Sequence, residues 1–117
     1  MVVHWNVHSL RARLDALTDL VEELHPALIS VNETWLWEGA QEDEDDAAVL
    51  PDYNLFTSSE PRTQQGQRRR AGVALYVHQR LLARPVHAIP GCLLTLEVNH
   101  PGSPPLYITS LYLTPST

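Results

Sequence analysis

The sequence predicts an α/β fold of the α+β sandwich type, and three observations carry that expectation. A strand–helix–strand pattern opens the chain, short apolar or alternating runs fill the rest, and proline and glycine mark the later breaks. Val2, Val3, Trp5 and Val7 form a β-branched and aromatic run that begins almost at Met1, as a strand does. Leu10, Leu14, Leu17, Val21 and Leu24 then recur at helical spacing. A helix is expected from a cap at Ser9 to a stop at His25-Pro26, with Asp15, Asp19, Glu22 and Glu23 turned mostly to water. Ala27, Leu28, Ile29, Ser30 and Val31 read as a strand buried on both faces. A right-handed parallel crossover makes this a βαβ unit whose two strands end on the same edge.

From Trp35 to Asp52 the pattern is that of a long surface loop, with a helical turn around Ala47 to Leu50. Strands are expected at Tyr53–Thr57, Gly72–His78, Val86–Ile89, Cys92–Asn99 and Leu106–Leu111. A polar loop, Ser58 to Arg70, divides the first two; Pro90-Gly91 and Pro101-Gly102-Ser103-Pro104-Pro105 supply later turns.

With 117 residues, 44% hydrophobic and 19% charged, the chain has the makeup of one globular domain, residues 1–117, and not of a disordered segment. No apolar stretch approaches the roughly 20 residues needed to cross a bilayer, and the amino terminus lacks the basic and apolar regions of a signal peptide. A soluble, intracellular, non-secreted protein without membrane contact is expected. Cys92 is the sole cysteine, so no internal disulfide forms, and a buried inert thiol is its expected role.

The net charge of −6 argues against nucleic acid, whose binding is driven largely by Lys and Arg releasing counterions. The distribution weakens that objection. Six of the 14 acids, Glu38, Glu42, Asp43, Glu44, Asp45 and Asp46, lie in one run, which leaves eight acids against eight arginines. Arg62, Arg68, Arg69 and Arg70 cluster in a single polar segment, where their planar forks suit phosphate oxygens. A plainly solvated loop explains the same run.

Two residues at the carboxyl edge of the βαβ unit can carry chemistry, because ligands of open α/β sheets gather there. Glu33 follows a buried apolar strand, where a carboxylate is costly unless paired or bound to a cation. A residue already past the sheet edge and solvated, or one paired with an arginine, accounts for it equally. Asn6 follows the first strand, where its carbonyl oxygen can help hold a hard cation or simply close an Asx turn.

Trp5-Asn6-Val7-His8-Ser9-Leu10-Arg11 followed by Ile29-Ser30-Val31-Asn32-Glu33-Thr34-Trp35-Leu36 resembles the opening of the endonuclease/exonuclease/phosphatase superfamily. Pro51-Asp52-Tyr53-Asn54-Leu55-Phe56, Ala71-Gly72-Val73-Ala74-Leu75-Tyr76-Val77 and Ser110-Leu111-Tyr112-Leu113-Thr114-Pro115 resemble later landmarks of its LINE-type retrotransposon branch, in order. The resemblance implies the amino-terminal half of a four-layer β-sandwich flanked by helices, with one divalent-metal-centred site that cleaves phosphate esters. It makes Asn6 an active-site residue beside the metal, Glu33 the metal-binding carboxylate and Tyr112 a phenol near the scissile phosphate. Mg²⁺, with Mn²⁺ as the alternative, is the implied cofactor, since Mg²⁺ takes only one or two carboxylates and keeps several waters. DNA is the implied substrate, and a nucleus the implied location for a mobile-element protein.

The resemblance stops where the family's Asp/Asn pair and terminal Asp/His pair would follow. Without a general base, activity is expected to fall by about 10²–10⁴ or more. His8-Ser9 also stands where many relatives have a polar residue followed by Gly, and Arg70-Ala71-Gly72 replaces a glycine-rich stretch. A half sandwich leaves an edge or face uncovered, so self-association through the incomplete sheet is expected. Two other functions compete: a non-catalytic module binding phosphate or nucleic acid through its arginine segment, and a fragment of an inositol-phosphate or lipid phosphatase of the same superfamily.

Overall fold

The computed structural model describes residues 2–7, 10, 13–34, 50–58 and 72–112. Seven strands and one helix follow in the order β1 (Val2–Asn6), α1 (Leu14–Leu24), β2 (Leu28–Asn32), β3 (Tyr53–Ser58), β4 (Val73–His78), β5 (Leu82–Ile89), β6 (Leu93–Asn99) and β7 (Leu106–Leu111). They build one four-stranded sheet in the order β1-β2-β4-β3 and one three-stranded sheet in the order β5-β6-β7. The sandwich expected from the sequence is present, with α1 on its outer side.

Period-two alternation explains how β2 is buried along its whole length. Ile29 and Val31 point to α1 and join Leu17, Ala74 and Tyr76 in one core, with Trp5, Leu14 and Val21 packed against it. Leu28 faces the other way and joins Val73, Leu75, Val77, Leu94, Leu96 and Val98 in a second core between the sheets. β7 packs under β2 and β4, and β5 under β3. β1 lies at the margin, with Val2, His4 and Asn6 exposed.

β1 and β2 are parallel, as the crossover requires, with Asn6 opposite Asn32. β4 runs antiparallel to both β2 and β3. The carboxyl ends of β1, β2, β3, β5 and β7 therefore meet the starts of β4 and β6 at one end of the sandwich. Cross-sheet bonds at that end include Ser58 Oγ donating to the Ile89 carbonyl at 2.8 Å and Gly72 N–H donating to the Gly91 carbonyl at 2.9 Å.

Three local expectations are corrected. The helix starts at Leu14, not Leu10; Leu10 is fully buried and donates its N–H to the Thr34 carbonyl at 3.0 Å, which takes it out of the helical ladder. Arg13 stands at the cap position without a side-chain cap, and Ser9 lies outside the described residues. The strand predicted from Val86 already begins at Leu82, because the β6 ladder pairs it past an irregularity between Pro85 and His87. Cys92 is half-buried in the turn before β6, not sealed in the core. The helix stop is as expected: His25 adopts φ 47° and donates its N–H to the Val21 carbonyl at 2.9 Å.

Candidate metal-site edge

Asn6 and Glu33 come to the same edge because their strands are parallel neighbours in register. Asn6 is exposed at the end of β1; Asn32 opposite it is buried, and Glu33 is the next residue. Glu33 sits in the left-handed region at φ 57°, an unfavourable conformation for a side chain with a Cβ. Its neighbours hold it there. Thr34 is buried, donates its N–H to the Gly72 carbonyl at 3.3 Å and accepts from Leu10 N–H through its own carbonyl.

Gly72, at φ 110°, is what lets β4 approach so closely. A Cβ on it would land inside van der Waals contact with Thr34 Oγ1. The glycine that opens β4 is thus part of the support for Glu33.

Tyr112, just past β7, donates its hydroxyl to Glu33 Oε1 at 2.8 Å. That hydrogen bond, then burial, then the carboxylate's charge push the phenol above its ordinary value. The phenol is therefore a proton donor throughout the neutral range. Its backbone is held as well, Tyr112 N–H donating to the Cys92 carbonyl at 2.7 Å. Glu33 Oε2 is shielded from solvent.

Beside this pair runs a set of polar side chains that the sequence did not mark. His4 Nδ1 lies 3.0 Å from Ser30 Oγ, and Ser30 Oγ lies 2.9 Å from Ser110 Oγ. Ser110 Oγ donates to Asn32 Oδ1 at 3.1 Å, and Asn32 Nδ2 donates to the Leu111 carbonyl at 3.1 Å. The available signal was Ser30 inside an otherwise apolar strand, since a buried hydroxyl requires a partner.

The sequence-predicted residues divide accordingly. Asn6, Glu33 and Tyr112 share one end of the sandwich, and Glu33 touches Tyr112. Arg62, Arg68, Arg69 and Arg70 lie outside the described residues, but the residues flanking them, Ser58 and Gly72, both stand at this end. Among the described residues no cluster of three or more His, Cys, Asp or Glu is placed to hold a metal. A hard ion that keeps most of its waters is compatible with the single shielded carboxylate present.

The chain belongs to the Endonuclease/Exonuclease/phosphatase family, which it matches over residues 3–109. No curated protein sequence matches it. Its fold is similar to that of an AP endonuclease from Leishmania major, with TM-score 0.74 and 21% identity over 95% of this chain and 39% of that one. It is also similar to the catalytic domain of Xenopus laevis APE2, with TM-score 0.64 and 15% identity over 99% and 46%. A third similar structure is D. rerio TDP2 complexed with single strand DNA product, with TM-score 0.56 and 17% identity over 92% and 43%. The chain spans less than half the length of each.

Proposed function

We propose that this chain contributes the amino-terminal part of a divalent-metal-dependent phosphodiesterase site of the DNA-processing kind, derived from a mobile element. The observation that carries the reading is the Glu33 carboxylate, held by the Tyr112 phenol at the strand-end edge that also receives Asn6. Glu33 would hold Mg²⁺ or Mn²⁺, with Asn6 beside it. Such an ion would supply charge stabilisation at a phosphoryl oxygen. The Tyr112 phenol, whose single proton goes to Glu33, orients the carboxylate at that edge. The DNA-processing enzymes among the similar structures support DNA as the substrate.

The resemblance implies that the general base comes from a further part of the family's domain, so the reading assigns metal holding and positioning to these residues and full hydrolysis to the complete domain. Mn²⁺ binding, followed by paramagnetic broadening of backbone amide signals, tests the metal assignment directly. Broadening centred on residues 6, 33 and 112, lost in Glu33→Gln, is the expected result; equal broadening in the variant overturns it. Plasmid nicking in Mg²⁺, with Glu33→Ala as control, then measures residual chemistry.

A second reading is favoured by Ser58 and Gly72, the described residues that flank the arginine segment in sequence, both standing at this end of the sandwich. Here the chain binds phosphate backbones without turnover. Salt-dependent association with a DNA duplex, weakened by replacing Arg68, Arg69 and Arg70 together, is its signature. If inositol phosphates compete for Mn²⁺-loaded protein better than DNA, the phosphatase reading replaces both. Among the described residues β1 and β7 are edge strands of their sheets, which supports self-association; sedimentation over a concentration range checks it.

A further inference from the structure

The polar side chains between the sheets have a direction that proton counting determines. A serine hydroxyl carries one proton, and a backbone carbonyl only accepts. Asn32 meets the Leu111 carbonyl with its amide nitrogen, so its Oδ1 is the acceptor for Ser110. Ser110 spends its proton on Asn32 and must accept from Ser30. Ser30 spends its proton on Ser110 and must accept from His4, so Nδ1 of His4 carries a proton. One acceptor, the Leu111 carbonyl, thus orients every hydrogen bond back to the surface of β1.

This chain ends on the residue whose neighbour holds Glu33. Asn32 grips the Leu111 carbonyl, the Cys92 carbonyl grips Tyr112 N–H, and the Tyr112 phenol reaches Glu33. The consecutive pair Asn32-Glu33 is therefore bonded to the consecutive pair Leu111-Tyr112 through two rungs, 79 residues apart along the chain. Three of the four polar side chains, Ser30, Asn32 and Ser110, are buried in the layer between the sheets, a layer otherwise filled with leucine and valine. Burying hydroxyl and amide groups there is costly unless each is satisfied, and a partly satisfied set is worse than an apolar one.

We propose that His4, Ser30, Ser110 and Asn32 act as one oriented clamp of positioning residues that seats Tyr112 on Glu33 before any metal arrives. Its importance for catalysis rests on the metal-carboxylate reading above; its geometry does not. The clamp sets the end of β7 against the end of β2, so that the carboxylate is oriented from the second sheet and not by its own strand alone. Preorganisation of this kind matters because a carboxylate free to rotate must be ordered at the moment of binding.

The test uses the full chain and needs neither metal nor substrate. Long-range ¹H–¹⁵N spectra of the imidazoles, recorded in mildly alkaline buffer, distinguish the Nδ1–H from the Nε2–H form of His4. The wild type is expected to show Nδ1–H, although free imidazole side chains favour the other form. In Asn32→Ala, which removes the far end of the chain and touches no atom of His4, the preference should relax toward Nε2–H. Ser30→Ala should do the same. Cross-relaxation between the Tyr112 ring and the Glu33 γ-methylene should weaken in Asn32→Ala while backbone amide shifts elsewhere persist.

An Nε2–H form in the wild type overturns the clamp without recourse to any variant, which covers the case of a variant that does not fold. Unchanged tautomer and unchanged Tyr112–Glu33 contact in a folded Asn32→Ala overturn it too. Loss of Mn²⁺ binding to the wild type, with the His4 signature intact, instead sinks the metal reading and leaves the clamp standing.

Discussion

Glu33 owes its place to residues far from it in sequence. The carboxylate was legible as a charge at the end of a buried strand, but its partner, Tyr112, lies 79 residues on, and no periodicity links the two. Because the phenol's value is raised by that partner, the hydrogen bond contributes fully below the ordinary tyrosine range and is lost as pH rises through the folded-state value. Tyr112→Phe is therefore expected to cost about 0.5–1 kcal/mol near neutrality. Urea titrations of both proteins should converge on the alkaline side; a constant difference would remove this account. Gly72→Ala should be more severe, about 2 kcal/mol or more, because a methyl group there meets Thr34 and the backbone is left-handed. Thermal unfolding checks it.

At the scale of elements, α1 shows how much a pattern reveals and where it stops. Its apolar stripe and its end at His25 were readable from spacing and from the following proline, whereas its start was not, since Leu10 has the right period but spends its N–H on Thr34. The last turn carries no basic residue, and Glu22 and Glu23 are exposed where the helix dipole favours cations. Glu23→Lys also replaces a like-charge pair with Asp19, one turn earlier, by an attractive one. A gain of about 0.5–1 kcal/mol is expected from the two effects together, read as a higher urea midpoint that shrinks in high salt. β5 likewise exceeds its predicted length, because pairing with β6 recruits Leu82 to Pro85 despite their weak alternation.

On the scale of the whole molecule, two apolar layers share one sheet: α1 packs on one face of the four-stranded sheet and the β5-β6-β7 sheet on the other. Leu96 sits fully buried in the second layer. Leu96→Ala is expected to destabilise the fold by about 2–4 kcal/mol through the cavity it leaves. If the two layers form one cooperative unit, the loss appears identically by far-UV circular dichroism and by the part of the tryptophan fluorescence that a Trp5→Phe substitution removes, since Trp5 packs in the other layer. Separate transitions would mean that the second sheet unfolds on its own.

Hydrophobic periodicity and turn residues by themselves determined the sequence of elements, the parallel pairing at the start and the edge at which Asn6 and Glu33 emerge. Those signals are local, and a strand or helix is a local solution to burying one face. Only the tertiary structure decided that β7 passes beneath β2. That crossing brings Tyr112 to Glu33 and aligns His4, Ser30, Ser110 and Asn32 into one directed set of hydrogen bonds. Side chains separated by 78 to 80 residues become partners only when two sheets stack, and the satisfaction of buried polar groups is a property of that stacking.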